Sequence, residues 1–437
     1  MPSITSSSSD APSLSVPSSG SLPSFPAKFF ASLLEAVAQA KNRRLCPELT
    51  DAQWLLLGTR RVLEEHPSGR GFLQHLVSSG VDAPDRSLFF ESLKSGRRLA
   101  LVAEVSAHLA RSLPTLGADC WTCIPELDGF DLYAGDGHFH AAAAHDPRDS
   151  QDGKKDAVGH LFALDLRSHA LAHLTVADQA MRRKEHDMRA LKRLSLETLR
   201  QGAEKGRKVI YVWDRAGIDF AQWHSWKRIG GLYVISREKE NMKLEVVGLN
   251  LWDRTDPRNQ GVLSDELVST SKGVAMRRVR YHCPLRDEAF SYLTSEYTIL
   301  PGAIAHLYRM RWEIEKTFDE LKSKLGETKA WATTANAKTM QAHFLCIAHN
   351  LMIRCESELE REHGVRNEAE LTRRAARLAR EEKELTKRGA VLPRLTRALQ
   401  RITVRSVKFI RWLRAQLFFS PLQEPDLAVL RRLYATL

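Results

Sequence analysis

The strongest constraint on this chain is the stretch from Pro301 to Gly326, PGAIAHLYRMRWEIEKTFDELKSKLG, which repeats its apolar residues with the period of one α-helix. Leu307, Met310, Ile314, Phe318, Leu321 and Leu325 cluster on one side of the wheel, and Arg309, Glu313, Lys316, Glu320 and Lys324 on the other. On the border between these faces, Tyr308, Arg311, Glu315 and Lys322 fall within an arc of about 60° at about 100° per residue. Such a helix needs a core to lie on and offers that core's rim a phenol, two cations and a carboxylate. The arrangement suits a site that binds a metal and a phosphodiester together. It also suits an ordinary amphipathic helix with an Arg311/Glu315 pair one turn apart, so the rest of the chain has to decide.

Bulk properties narrow the choice. With 65 Lys and Arg against 53 Asp and Glu, the 437-residue chain carries a formal charge of +12, which points to a polyanionic partner, nucleic acid first. A hydrophobic content of 43% is ordinary for a globular protein of two or three domains. No apolar run is long enough to span a bilayer and no secretory leader opens the chain, so no membrane association and a cytoplasmic location are expected. The six cysteines are too scattered for a disulfide framework, and Cys120 and Cys123, though spaced C-x-x-C, lack a second ligand pair at zinc-finger distance.

The organisation reads as follows. Residues 1–26, rich in Ser and Pro, are expected to be a disordered tail. Residues 27–125 are helical, with a Thr50 or Asp51 cap before AQWLLLGTRRVLEEH. The basic pairs Arg43/Arg44, Arg60/Arg61 and Arg97/Arg98 there suit a DNA-binding region or solvated helix faces equally. Over residues 126–229, a strand through Phe130, Leu132 and Ala134 ends in a turn at Asp136-Gly137. Two strands joined at Arg167, Ser168 and His169 follow, then a charged helix over Met181–Gly202 whose triplet Glu185, His186 and Asp187 reads as a solvated face. The uninterrupted apolar run Lys208–Trp213 predicts a central strand covered on both sides, ending at Asp214. Residues 230–300 form a β-rich insertion, 301–355 bring the long helix, and 356–437 are helical and basic, a region for dimerisation or further DNA contacts.

Asp136 and Asp214, each at a strand end, and Glu315, on the helix border, offer hard oxygen ligands from three parts of the chain. Three such carboxylates form a minimal cage for two ions of the kind that activate an attacking oxygen and stabilise a leaving one in phosphodiester chemistry. His138, His140 and His145 near Asp136 read as hydrogen-bonding groups.

The spacing Tyr308-x-x-Arg311-x-x-x-Glu315-x-x-x-x-x-x-Lys322 resembles the Y-R-E-K signature of cut-and-paste insertion-sequence transposases of the DDE type. The context strengthens the likeness: Asp136-Gly137, Asp214-Arg215-Ala216-Gly217, Arg311-Trp312-Glu313-Ile314-Glu315 and His349-Asn350, within about Phe89 to Met352. The resemblance implies an α/β fold with an RNase H-like catalytic core, interrupted by a β-rich insertion and flanked by helical N- and C-terminal regions. It implies that Asp136, Asp214 and Glu315 hold two Mg²⁺ ions, with Mn²⁺ able to substitute. Tyr308, Arg311, Lys322 and, after the strand LYVIS, Arg237 would contact double-stranded DNA of transposon ends and target. Trp252, Phe290 and Tyr292 are the candidates to stack on a flipped base, a contact worth roughly 1–3 kcal/mol. A homodimer would cleave and join the ends. The other readings are a catalytically silent, transposase-derived DNA-binding protein and an RNase H-like nuclease lacking the Tyr308, Arg311 and Lys322 stripe.

Overall fold

The computed structural model describes residues 24–66, 68–114, 120–146, 158–177, 187–325, 329–399, 405, 407–419 and 424–435. The N-terminal helices are α1 (Phe25–Gln39), α2 (Asp51–Leu63), α3 (Gly69–Ser78), α4 (Arg86–Ser92) and α5 (Gly96–Arg111). Thr50 caps α2 in a reciprocal pair with Gln53, as its position before the apolar run predicts. The helix α3 was not anticipated, and α4 and α5 divide a stretch that reads as one helix, because Ser95 caps a fresh start at Gly96, its hydroxyl accepting from the Arg98 N–H. Four of the six arginines in the basic pairs are engaged within the protein: Arg61 is buried over the Trp331 ring at 4.2 Å, Arg98 is buried beside Trp54, Arg97 binds Asp51 and Arg60 binds Glu64. A DNA-facing role for this region therefore rests on the exposed Arg43 and Arg44.

A single mixed sheet follows. Strands β1 (Phe130–His140), β2 (Val158–Asp165) and β3 (Leu171–Val176) make an antiparallel meander. Of the charged helix expected over Met181–Gly202, residues 181–186 lie outside the described residues. From Asp187 the chain forms two short helices, α6 (Asp187–Lys192) and α7 (Leu196–Leu199), separated by the Ser195 cap. Strand β4 (Lys208–Val212), α8 (Phe220–Gly230) and β5 (Leu232–Arg237) then add two strands parallel to β1. Strands β6 (Leu244–Leu249), β7 (Val262–Thr270), β8 (Ala275–Cys283) and β9 (Glu288–Thr294) complete the order β3-β2-β1-β4-β5-β9-β8-β7-β6. The first five, ordered 3-2-1-4-5 with four parallel and β2 reversed, have the strand order expected of an RNase H-like core. The insertion begins only after β5 and continues the same sheet, β9 pairing antiparallel with β5.

Helices α9 (Pro301–Met310), α10 (Trp312–Lys324) and α11 (Ala335–His363) cover one face of the sheet with the N-terminal helices. The C-terminal helices are α12 (Glu368–Lys387), α13 (Arg394–Ala398), α14 (Val407–Arg414) and α15 (Leu427–Ala435). Leu132, Ala134, Ile210 and Val212 point to this face, while Tyr133, Val209, Tyr211 and Trp213 point to the other, against Leu191, Leu199, Trp223 and Trp226. Strand β4 is thus covered on both sides, as its apolar run predicts. Gly135 belongs to the second face, and a Cβ there would lie 2.5 Å from the Trp213 ring. Gly135→Ala is expected to destabilise the fold by about 1–3 kcal/mol through overpacking, read as a lower urea midpoint.

The expectation of one unbroken helix from Pro301 to Gly326 is corrected. The helical ladder breaks at Arg311, whose N–H bonds Tyr308 and whose carbonyl accepts from Ile314, so Tyr308 and Glu315 sit on separate helices. The polar arc is corrected too: Glu313 and Glu320 are each 1% exposed rather than facing water. Glu320 is covered by Arg405 from the C-terminal segment and by His349 of α11, both of which bind it.

The same interior holds histidines kept neutral. Burial pushes His343 down to about 4 and His169 and His306 down to about 3. Because an unfolded chain takes up protons at these groups from about pH 6.5 and the folded one does not, stability is lost as pH falls through that window. Each pH unit below about 6 is expected to remove about 1.4 kcal/mol per histidine, measurable by urea denaturation at pH 7.5 and 5.5.

Candidate active site

In the parallel register of β1 and β4, Tyr133 lies beside Tyr211 and Ala134 beside Val212. Two residues further along each chain come Asp136 and Asp214, level with one another and on the face that α10 covers. The two aspartates are not alike in setting. Asp214 follows its strand, as expected, and caps a short 3-10 turn with Oδ1 accepting from the Ala216 N–H at 2.8 Å. Asp136 does not end a strand. Strand β1 continues to His140 because β2 pairs with it beyond the point where β4 stops, Asp136 opposite Phe162 and His138 opposite His160. Asp136 therefore sits inside a strand, at the level where its parallel neighbour leaves off.

Glu315 enters from above on α10, whose Ile314, Phe318 and Leu321 are buried on the same sheet face. Arg311 ties the acids together: Nη1 donates to Asp136 Oδ2 at 2.9 Å and Nη2 to Glu315 Oε1 at 2.6 Å. The carboxylate oxygens of Asp136, Asp214 and Glu315 do not all approach within 4.8 Å of one another; a guanidinium stands between two of them. Burial pushes the Asp136 carboxyl up to about 6; Arg311 and the Gly137 N–H pull it down, and the nearby Asp214 and Glu315 raise it further. The Arg311 guanidinium is itself buried, and Asp136, Tyr308 and Glu315 more than offset the burial. Three carboxylates around a half-buried rim, two of them bridged by Arg311, demand positive charge. All the donors are hard oxygens, so the set fits Mg²⁺ or Mn²⁺.

The remaining candidates surround this point. Tyr308 is half-buried, 5.0 Å from the Tyr292 ring, and burial raises its phenol with a further contribution from Asp214. Arg237 ends β5 beside Tyr292 and lies over the Phe290 ring at 4.6 Å. Lys322, two turns along α10 from Glu315, is exposed at the rim. Of the three aromatic residues considered for stacking, Phe290 and Tyr292 are buried in the sheet face, which leaves Trp252, half-buried under Arg254, with open surface. His138 stacks on Phe318 at 4.4 Å and His140 packs against His160, both as core groups. The thiols of Cys120 and Cys123 share a 3-10 turn. Ser236 escaped notice in the sequence: its hydroxyl donates to the Asp214 carbonyl at 2.8 Å and fixes the end of β4 to β5. A lone serine in a strand carries no signal that would reveal this.

Among the described residues, no helix is long and apolar enough to cross a membrane. No curated protein matches the chain. Among solved structures, the Drosophila P element transposase strand transfer complex is similar at 17% identity over 48% of this chain and 46% of that one, with a TM-score of 0.23. The chain thus spans about half the length of that protein, a likeness too slight to argue from. Residues 128–351, about half of the chain and the whole of the sheet and site just described, match the Transposase DDE domain, and the chain belongs to that family.

Proposed function

We propose that this protein is a metal-dependent DNA transposase that cleaves the ends of an insertion sequence and joins them to target DNA. The observation that carries the reading is the alignment of Asp136 and Asp214 on neighbouring parallel strands under Glu315, with Arg311 linking two of the three acids. Asp136, Asp214 and Glu315 would hold two Mg²⁺ ions, with Mn²⁺ as a substitute. The ions would supply Lewis-acid activation of water or a 3′-OH and charge stabilisation on the phosphate.

The residues of the chain do the positioning. The rigid pairing of β1 with β4 and the Ser236 bond to the Asp214 carbonyl hold the acids in place before substrate arrives. Arg311, Tyr308, Lys322 and Arg237 bring cations and a phenol to the rim, where phosphate oxygens accept hydrogen bonds. Water, and later the freed 3′-OH, attacks phosphorus while the bond to the leaving oxygen breaks, so no enzyme side chain has to form a covalent bond. The C-terminal helices would serve dimerisation, and their acidic Glu381, Glu382 and Glu384 argue against a purely DNA-facing surface.

The direct test is incubation of the purified protein with the DNA flanking its own gene and Mg²⁺, scored for nicks at the element boundary. Binding without nicking would instead support a catalytically silent DNA-binding protein, and cleavage indifferent to the end sequence a nuclease. Lys322→Ala is expected to weaken engagement of the cleaved end several-fold while metal affinity stays unchanged. Mobility-shift titrations that show unaltered end binding would remove Lys322 from phosphate contact.

A further inference from the structure

Away from the sheet, one cluster among the described residues brings three metal-ligating side chains together with ligand atoms all within 4.8 Å: Glu64, His66 and His75. Glu64 is the C-cap of α2, and Glu65 follows in the left-handed region at φ 60°, so that the chain turns at once and carries His66 to the same corner. His75 comes from the last turn of α3. Glu64 Oε2 lies 3.3 Å from His66 Nε2, Glu64 Oε1 lies 3.9 Å from His75 Nε2, and the two imidazole centroids are 4.7 Å apart. Ligand atoms around a tetrahedral ion with bonds of about 2.0–2.1 Å stand about 3.3–3.4 Å from each other, so small side-chain rotations would close the set.

The carboxylate is already oriented. Arg60 grips Glu64 Oε1 through Nε at 3.0 Å and Nη2 at 2.9 Å. The Glu64 side chain is 3% exposed, and its Oε2 is buried with no hydrogen-bond partner. A buried carboxylate oxygen without a well-aligned donor is costly, and the His66 imidazole 3.3 Å from it carries a nitrogen that, like that oxygen, can ligate a cation. His66 and His75, at 19% and 29% side-chain exposure, leave a route from solvent.

We propose that Glu64, His66 and His75 form a site for a zinc-class ion, with a fourth position open to water and Arg60 as the outer partner that aims the carboxylate. Its imidazole donors set it apart from the all-carboxylate group on the sheet, which suits Mg²⁺. The site also marks a junction. Arg414 of α14 donates to the Leu63 carbonyl, to Glu65 Oε1 at 2.6 Å and to the Lys324 carbonyl at 2.6 Å. An ion here would tie the α2–α3 corner to the ends of α10 and α14.

The test is titration of untagged full-length protein with Co²⁺, read as visible ligand-field absorption, followed by displacement with Zn²⁺. With Mg²⁺ in excess to compete for the sheet carboxylates, one equivalent with the intense absorption of a tetrahedral ion is expected to bind, and the same in Asp136→Asn. His75→Ala is expected to lose more than about a hundredfold in affinity, and Arg60→Met, which keeps all three ligands, about ten- to a hundredfold. Absence of saturable one-to-one binding by the wild-type chain would overturn the proposal, as would wild-type affinity in a folded His66→Ala/His75→Ala double variant.

Discussion

Glu315→Ala is expected to abolish divalent-metal-dependent cleavage while leaving binding to the element's ends largely intact. The substitution removes one of the three proposed oxygen donors, which lie on three separate elements. It also strips Arg311 of its 2.6 Å partner and leaves the guanidinium to Asp136 alone, an ion pair that would compete with metal. Loss of a donor set worth several kcal/mol of charge stabilisation corresponds to at least about a thousandfold in rate. Glu315 is only partly buried at the rim, so the fold should tolerate the change. The measurement is nicking of end DNA in Mg²⁺ and in Mn²⁺ beside a mobility shift. Cleavage at the wild-type rate would take Glu315 out of the mechanism.

Arg405→Ala is expected to destabilise the whole protein by about 3–5 kcal/mol, because it leaves buried carboxylates without their counterion. Arg405 donates to Glu320 through Nε at 2.9 Å and Nη2 at 2.5 Å, to Glu356 at 3.3 Å, and lies 3.0 Å from His349 Nδ1. Burial alone would raise Glu320, yet Arg405 and His349 hold it down to about 2. Glu356 is pushed by burial up to about 7 despite the same guanidinium. Removing the charge should therefore unfold the chain at lower urea, and Glu320→Gln on top of Arg405→Ala should recover part of the loss. Equal midpoints for Arg405→Ala and wild type would show that the C-terminal segment does not brace α10.

What the sequence disclosed, and what it hid, follows from how local each determinant is. Asp214 was legible because the apolar run of β4 ends in a polar turn, a purely local event. Asp136 reads as the end of a strand but lies inside one, since Gly137 resembles a turn and only pairing with β2 keeps the backbone extended. The border position of Glu315 was readable from periodicity. The break at Arg311 was not, because no proline or glycine marks it. Glu313 and Glu320 look like water-facing residues on any wheel; their burial depends on a segment that returns some 85 residues later. Within the β-rich insertion, Asp265 of β7 is buried against Arg277, a pairing visible only across strands.

Strand β5 has hydrogen-bonded neighbours on both edges, β4 on one and β9 on the other. The four outer strands are consequently a cantilever rather than a hinged lobe, without a linker to absorb rotation. Torque applied at the far edge, on β6, passes through the ladder to β5 and from Ser236 to the backbone of Asp214.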